Sequence, residues 1–167
     1  MKLIPLSKEG KNRGKYFAMV DDEDYDYLMQ WNWSVIKRTK GLFYAGRTEW
    51  YGDGKGQKHI KMHRLLLGLN DPKIEVDHKD HNGLNNQRNN LRAVTHQQNL
   101  FNGRASGESK YIGVGRRRFG GKWCASVTVN RKKCYVGYFD DEIEAAKARD
   151  VAAKKLHGEF ARLNFSQ

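Results

Sequence analysis

Apolar and polar positions alternate through "YFAMV" (16–20), "GLFYAGRTEW" (41–50) and "KHIKM" (58–62), a period that predicts three short strands with glycines 52, 54 and 56 breaking the chain between the last two. Between the first two strands, "MVDDEDYDYLMQWNW" sets Tyr25, Leu28 and Met29 at helical spacing behind an acidic run. That pattern predicts a short helix capped near Asp21 or Asp22; carboxylates in a first turn answer the helix dipole, which is preferred to a metal site there. "HRLLLGL" (63–69) predicts a helix stopped at Gly68, and "NDP" a turn. The next segment loses its apolar content after Val76 and regains it at "LRAV", giving strand, long polar loop, strand. A helix follows near His96, where Thr95 and Gln98 have capping-box spacing and Gly103 can end it.

The small polar run "GRASGESK" (103–110) reads as a linker, so the expected organisation is residues 1–103, a linker at 104–110, and 111–167. In the last part, "KYIGVGRRR", "KWCASVTVN" and "KKCYVGYFD" predict three strands joined by "FGG" and a turn near Asn130 and Arg131. "DDEIEAAKARDVAAKKLHG" predicts one helix, capped by Asp140 or Asp141 and stopped by Gly158, whose inward positions are mostly Ala. The fold class is α+β: an N-terminal mixed domain, then a three-stranded antiparallel sheet packed on one helix.

Charge narrows the partner. Thirty-one Lys and Arg against nineteen Asp and Glu leave +12, which favours a polyanion such as nucleic acid. No apolar run approaches the roughly 20 residues of a membrane span, and the start lacks a signal-peptide core, so a cytoplasmic protein is expected. Cys124 and Cys134 have neither zinc-finger nor C-x-x-C spacing and read as reduced strand residues.

The polar loop carries the candidate chemistry. Lys79 to Asn89 cannot build an apolar core, and such a loop inside a compact domain is either mobile or functional. Asp77 and His78 close the strand before it, Asn90 opens the strand after it, and Asn99 lies one turn into the capped helix. A carboxylate and an amide oxygen are hard ligands suited to Mg²⁺, and an imidazole titrating near neutrality can take a proton from water. Together they suit phosphodiester hydrolysis. For most of the asparagines turns and caps are the better reading. His63 and Arg64 are read as reaching a phosphate or packing beside the site.

"VDHKDHNGLNNQRNNLRAVTHQQN" resembles the HNH motif of phage and intron-encoded homing endonucleases, with "MHRLLLG" resembling the helix that precedes it. The resemblance implies a ββα-metal fold over about 74–103, His78 as general base, Asn90 ordering the loop and helping to hold His78, and Asp77 with Asn99 binding a divalent metal. Asn99 stands where a histidine is more familiar, a variant that favours Mg²⁺ (or Mn²⁺) over Zn²⁺.

The final domain holds nine Lys and Arg against one acid between Arg104 and Tyr135. "YIGVGRRRFGGKWCASVTV" and the "GYFD…EAA…A…D.AA…G…A.LNF" skeleton resemble the APETALA-type (ethylene-response-factor) DNA-binding domain, over almost all of residues 109–165. That family reads DNA with arginines and tryptophan on its sheet, which implies DNA contacts by Arg116, Arg117, Arg118, Lys122, Trp123, Arg131, Lys132 and Lys133. Ile112 and Gly115 stand where the family often has arginine. The combined expectation is a homing-type endonuclease acting on double-stranded DNA through a one-metal mechanism, as monomer or homodimer, with no membrane and no small-molecule substrate. The rival expectation is a sequence-specific DNA-binding regulator with a non-catalytic HNH fold; RNA binding is a third, weakened because the sheet lacks a base-stacking aromatic pattern.

Overall fold

The computed structural model describes residues 1–7, 9–38, 41–52, 56–101, 108–117, 120–130 and 132–165. Arg118, Arg131, Gly54, Gly103 and most of the expected linker lie outside the described residues. The chain forms two compact units, Met1–Val94 and Thr95–Gln167. Strands and helices mix in both, as the α+β expectation holds.

In the first unit, β1 (Lys2–Leu6) pairs antiparallel with β2 (Tyr16–Val20), and α1 (Asp22–Leu28) follows. Strands β3 (Ser34–Lys37), β4 (Phe43–Trp50) and β5 (Gln57–Lys61) form an antiparallel sheet in the order 3-4-5. Then come α2 (Met62–Leu66), β6 (Ile74–His78) and β7 (Leu91–Thr95), with β6 and β7 paired. Strands β1 and β3 are absent from the sequence expectation. β1 alternates faithfully, with Ile4 and Leu6 buried, but Pro5 and a charged flank mask it. Pro5 is tolerable because β1 pairs only with β2 and so lies at a sheet edge.

One core binds these elements: Ile4, Leu6, Ala18, Val20, Leu28, Trp33, Ala45, Met62, Leu66 and Leu91. Leu28 sits at its centre with Tyr25 and Met29 packed alongside, so the helical spacing of α1 is a core face. Trp33 is buried whole because its indole N–H finds the Leu28 carbonyl at 2.8 Å. Met62, expected at a strand end, instead begins α2.

In the second unit, α3 (His96–Phe101) precedes β8 (Val114–Arg116), β9 (Trp123–Val129), β10 (Lys132–Phe139) and α4 (Glu142–His157). The antiparallel sheet runs in the order 10-9-8, with a register shift between Tyr135 and Gly137. Strand β8 is shorter than expected. Gly113 takes φ +72 with its Cα so close to the Ser126 carbonyl that a Cβ would stand 2.4 Å from it, which ends the extended run on that side. Asp141 caps α4, accepting from the Glu144 N–H at 2.9 Å. Ala145 and Ala146 let α4 lie close on Val114 and Ala125. The buried Arg149 and Asp150 are the exceptions to its alanine face. Asp150 accepts from the backbone N–H groups of Asn164 (2.6 Å) and Phe165 (3.0 Å), while the Asn164 amide clasps both backbone groups of Ile112. The "LNF" tail is therefore a structural staple.

Candidate active site and basic sheet

Three asparagine and aspartate side chains fold the polar loop locally. Asp80 accepts from the Asn82 N–H (2.9 Å), Asn82 from Leu84 (3.1 Å) and Asn85 from Gln87 (3.3 Å), each two residues on, as the turn chemistry of these residues allows. The loop then docks on β2. Met19 donates to the Leu84 carbonyl and accepts from the Asn86 N–H, both at 2.8 Å, and Asn86 is fully buried. Gly83 lies so near β4 that a Cβ would stand 2.3 Å from the Phe43 carbonyl oxygen.

The acidic run that opens α1 does something the sequence did not suggest. Asp21 is the N-cap residue, yet its side chain makes no capping bond; its two oxygens accept from Gln87 Nε2 (3.0 Å) and the Arg88 N–H (2.8 Å). Asp24, buried, takes a two-pronged bond from Arg88 at 2.7 and 2.8 Å. The run thus clamps the far end of the loop.

Asn90 clamps the near end. It is buried, accepts from the Asp80 N–H (3.0 Å), and donates to Asp80 Oδ1 (2.9 Å) and the Asn85 carbonyl (2.9 Å). Its own carbonyl accepts from the Lys79 N–H at 3.0 Å, closing the loop directly after His78. Its influence on His78 passes through Asp80 and the backbone.

Asp77 and His78 both end up buried although they are strand neighbours, because β6 stops at His78. Arg92 on β7 holds Asp77 Oδ2 through Nε (2.8 Å) and Nη2 (2.7 Å). The His78 ring lies between Tyr44 (5.7 Å between centroids) and His63 (5.1 Å, edge-on). Its Nε2 is buried and makes no hydrogen bond of ordinary geometry among the described residues, although the Asn86 side chain lies near enough to act on the ring. Burial lowers the pKa of His78, opposed by the carboxylates of Asp80 and Asp77 and by the Asn86 amide. His63 is pushed down to about 3, by burial first and then by His78 and nearby cations. Arg64 donates to the backbone carbonyls of Ile74, Asp71 and Leu69, so it pins the turn between α2 and β6.

Asn99 belongs to the other unit, half-buried on α3. The capping box of that helix forms as its spacing predicts: Gln98 Oε1 accepts from the Thr95 N–H at 2.8 Å, and Thr95 Oγ1 from the Gln98 N–H at 3.3 Å. The Asp77 carboxylate is a hard oxygen donor of the kind that suits a divalent ion keeping most of its waters. Arg92, Tyr44, Asp80, Asp21 and Asp24 were not among the sequence candidates. Arg92 alone had a signal, as a charge on a strand position that alternation turns inward.

On the second unit, cross-strand pairing sorts the basic residues by face. Arg116 pairs with Trp123, on the face that packs against α4, and its guanidinium covers that ring at 5.7 Å. Lys132 pairs with Val129, and Lys133 with Thr128 on the opposite face. That opposite face also carries Tyr135 and Tyr138, both exposed, with Arg117 over Tyr138 (4.9 Å) and Lys133 over Tyr135 (5.5 Å). Lys122 forms an exposed ion pair with Asp140 at 3.2 Å. Gly115 opposes Cys124 on the tyrosine face, with open space where a Cβ would go.

Strand, pinned loop, strand and helix, with a buried imidazole at the root of the loop, form a ββα-like element. Comparison with known proteins gives the family. A family model described as HNH endonuclease matches residues 57–101. A protein of Acanthamoeba polyphaga mimivirus, named as an HNH endonuclease, is 35% identical over 156 residues, 93% of this chain and 78% of the relative. The chain belongs to the HNH endonuclease family, and nuclease is its activity class; enzymes of this family generally work with a divalent metal. Shorter likenesses cover part of the chain. The AP2-like ethylene-responsive transcription factor ANT of Arabidopsis thaliana is 39% identical over 74 residues, 43% of this chain and 13% of the plant protein. An ethylene-responsive transcription factor of Medicago truncatula is 36% identical over 78 residues, 44% of this chain and 29% of its own length. Among the described residues no helix is long and apolar enough to cross a membrane.

Proposed function

We propose that this protein is a homing-type endonuclease that hydrolyses one phosphodiester of double-stranded DNA per encounter, with His78 as general base. The observation that carries this reading is the buried, unpartnered Nε2 of His78 at the root of a loop fastened at both ends. An orphaned buried nitrogen costs about 1–3 kcal/mol, and among the described nitrogens left so His78 Nε2 is the one at the root of this loop.

The roles follow from the contacts. Burial keeps the His78 imidazole neutral and able to accept a proton at neutral pH. Water attacks phosphorus as its proton passes to His78, and the products carry a 5′ phosphate and a 3′ hydroxyl. Asn90 fixes the loop through Asp80 and Asn85; Arg92 orients Asp77. Asp77 would hold Mg²⁺ (or Mn²⁺), which when bound neutralises charge on the scissile phosphate and the departing 3′ oxygen; Asn99 is added as a ligand on the resemblance alone. The relatives named as transcription factors support a DNA-contacting sheet in the second unit. Arg117 and Lys133 on the tyrosine face would make its principal contacts, with Arg116, Trp123, Lys122 and Lys132 at the margin; Arg118 and Arg131 are added on the resemblance alone.

Supercoiled plasmid incubated with the protein and Mg²⁺ or Mn²⁺ tests this. Wild type is expected to relax it and His78→Ala to fail. Intact plasmid with wild type in both metals, or equal cutting by the variant, refutes the mechanism and favours a DNA-binding regulator.

A further inference from the structure

The face of β4 that meets His78 continues outward as an uncovered ribbon. Tyr44 touches both His63 and His78, and two residues on, Gly46 lies beneath Ile36. Beyond it on the same face come Thr48, hydrogen-bonded across the strands to His59 (3.1 Å), and Trp50, opposed to Gln57. Lys61, half-buried, closes the row opposite Gly46 and lies close enough to feel the charges of Arg38 and Arg64 and the opposite charge of Glu75. Thr48, Gln57 and His59 are exposed, and Trp50 is 69% exposed, more than any of the other exposed aromatic residues described. The strands place no carboxylate on this face among the described residues; Glu49 points the other way and pairs with Arg47.

An aromatic side chain held in water on a hairpin, flanked by donors and cations and continuous with the imidazole of a nuclease, has the composition of a DNA-contacting ribbon. We infer that the Thr48, Trp50, Gln57, His59 and Lys61 face of the β4–β5 hairpin is a second DNA interface, which grips the duplex flanking the cut. The inference rests on the nuclease reading of His78 for its position. At about 3.3 Å per strand residue, Trp50 stands roughly 20 Å along the strand from Tyr44, and at 3.4 Å per nucleotide it meets the strand about six nucleotides from the scissile phosphate.

Binding of a fluorescent 40-base-pair duplex in EDTA separates this interface from the chemistry. Trp50→Ala combined with His59→Ala is expected to raise Kd roughly tenfold, the ordinary effect of truncating an interfacial Trp. Lys61→Gln is expected to lower the log-log salt slope by about 0.9, and Lys58→Ala on the opposite face to leave Kd within twofold. A photo-crosslinking phenylalanine at position 50 should mark a nucleotide about six from the end made by cutting. Unchanged affinity of the double variant overturns the inference, as does crosslinking confined elsewhere. So does altered sedimentation of the protein alone, which would make the face a self-contact. If wild type binds through this face but never cuts, the interface stands and the nuclease reading falls.

Discussion

Replacing Asn90 with alanine removes three hydrogen bonds at one point: the Asp80 N–H loses its acceptor, and Asp80 Oδ1 and the Asn85 carbonyl lose their donor. Each such bond contributes about 0.5–1.5 kcal/mol net, and the exposed Asp80 carboxylate regains water, so the cost is about 2–3 kcal/mol. At about 1.4 kcal/mol per tenfold, local opening of the loop becomes roughly 30- to 150-fold more frequent. Because the loop is rooted at His78, the same change should lower kcat for plasmid cutting while leaving duplex binding in EDTA nearly unaltered. Amide hydrogen exchange reads the opening directly at Asp80 and Lys79, whose N–H groups bond to Asn90. Asn90→Asp sharpens the test: it keeps the acceptor but sets a carboxylate against Asp80, so its defect at pH 7 should shrink as pH falls into the carboxylate range. If these amides exchange as in wild type and the urea midpoint of Asn90→Ala corresponds to a loss under 0.5 kcal/mol, Asn90 does not hold the loop.

His63 predicts an acid sensitivity. Its folded pKa near 3 lies below the ordinary 6.5, so the unfolded chain binds the proton first, and stability is complete above pH 6.5 and falls as pH drops toward 3. The loss at pH 5 is about 2 kcal/mol, and His63→Gln should flatten the urea-versus-pH curve over that range. Gly83→Ala drives a Cβ onto the Phe43 carbonyl and should cost about 1–3 kcal/mol in thermal or urea unfolding. Gly115→Arg enters open space on the tyrosine face and should leave Tm unchanged while tightening duplex binding and steepening its salt dependence. On that sheet, Arg117→Ala should weaken duplex binding more than Arg116→Ala, whose guanidinium lies against Trp123; equal losses would dissolve the distinction between faces.

Much was legible from residue order alone, because the features concerned are local. The capping box at Thr95 and Gln98, the Asp141 cap and Gly158 stop of the last helix, and the turn-forming role of Asn82 and Asn85 all act within two to four residues. The HNH spacing of Asp77, His78 and Asn90 could be read for the same reason: both strand ends flank one loop. What only the tertiary structure decided spans long separations. Asp21 and Asp24 reach the loop across more than sixty residues, so helix-cap chemistry, the local explanation of their charge, concealed the clamp they form on Gln87 and Arg88. Arg92 became the partner of Asp77 only when β6 paired with β7, and His63 and Tyr44 became the walls of His78 only when α2 and β4 packed around it. Likewise the sequence set out a run of arginines, but register alone determined which of them share a face with Trp123 and which with Tyr138. A sequence specifies which side chains can carry chemistry; burial and pairing, which depend on distant segments, determine which of them meet.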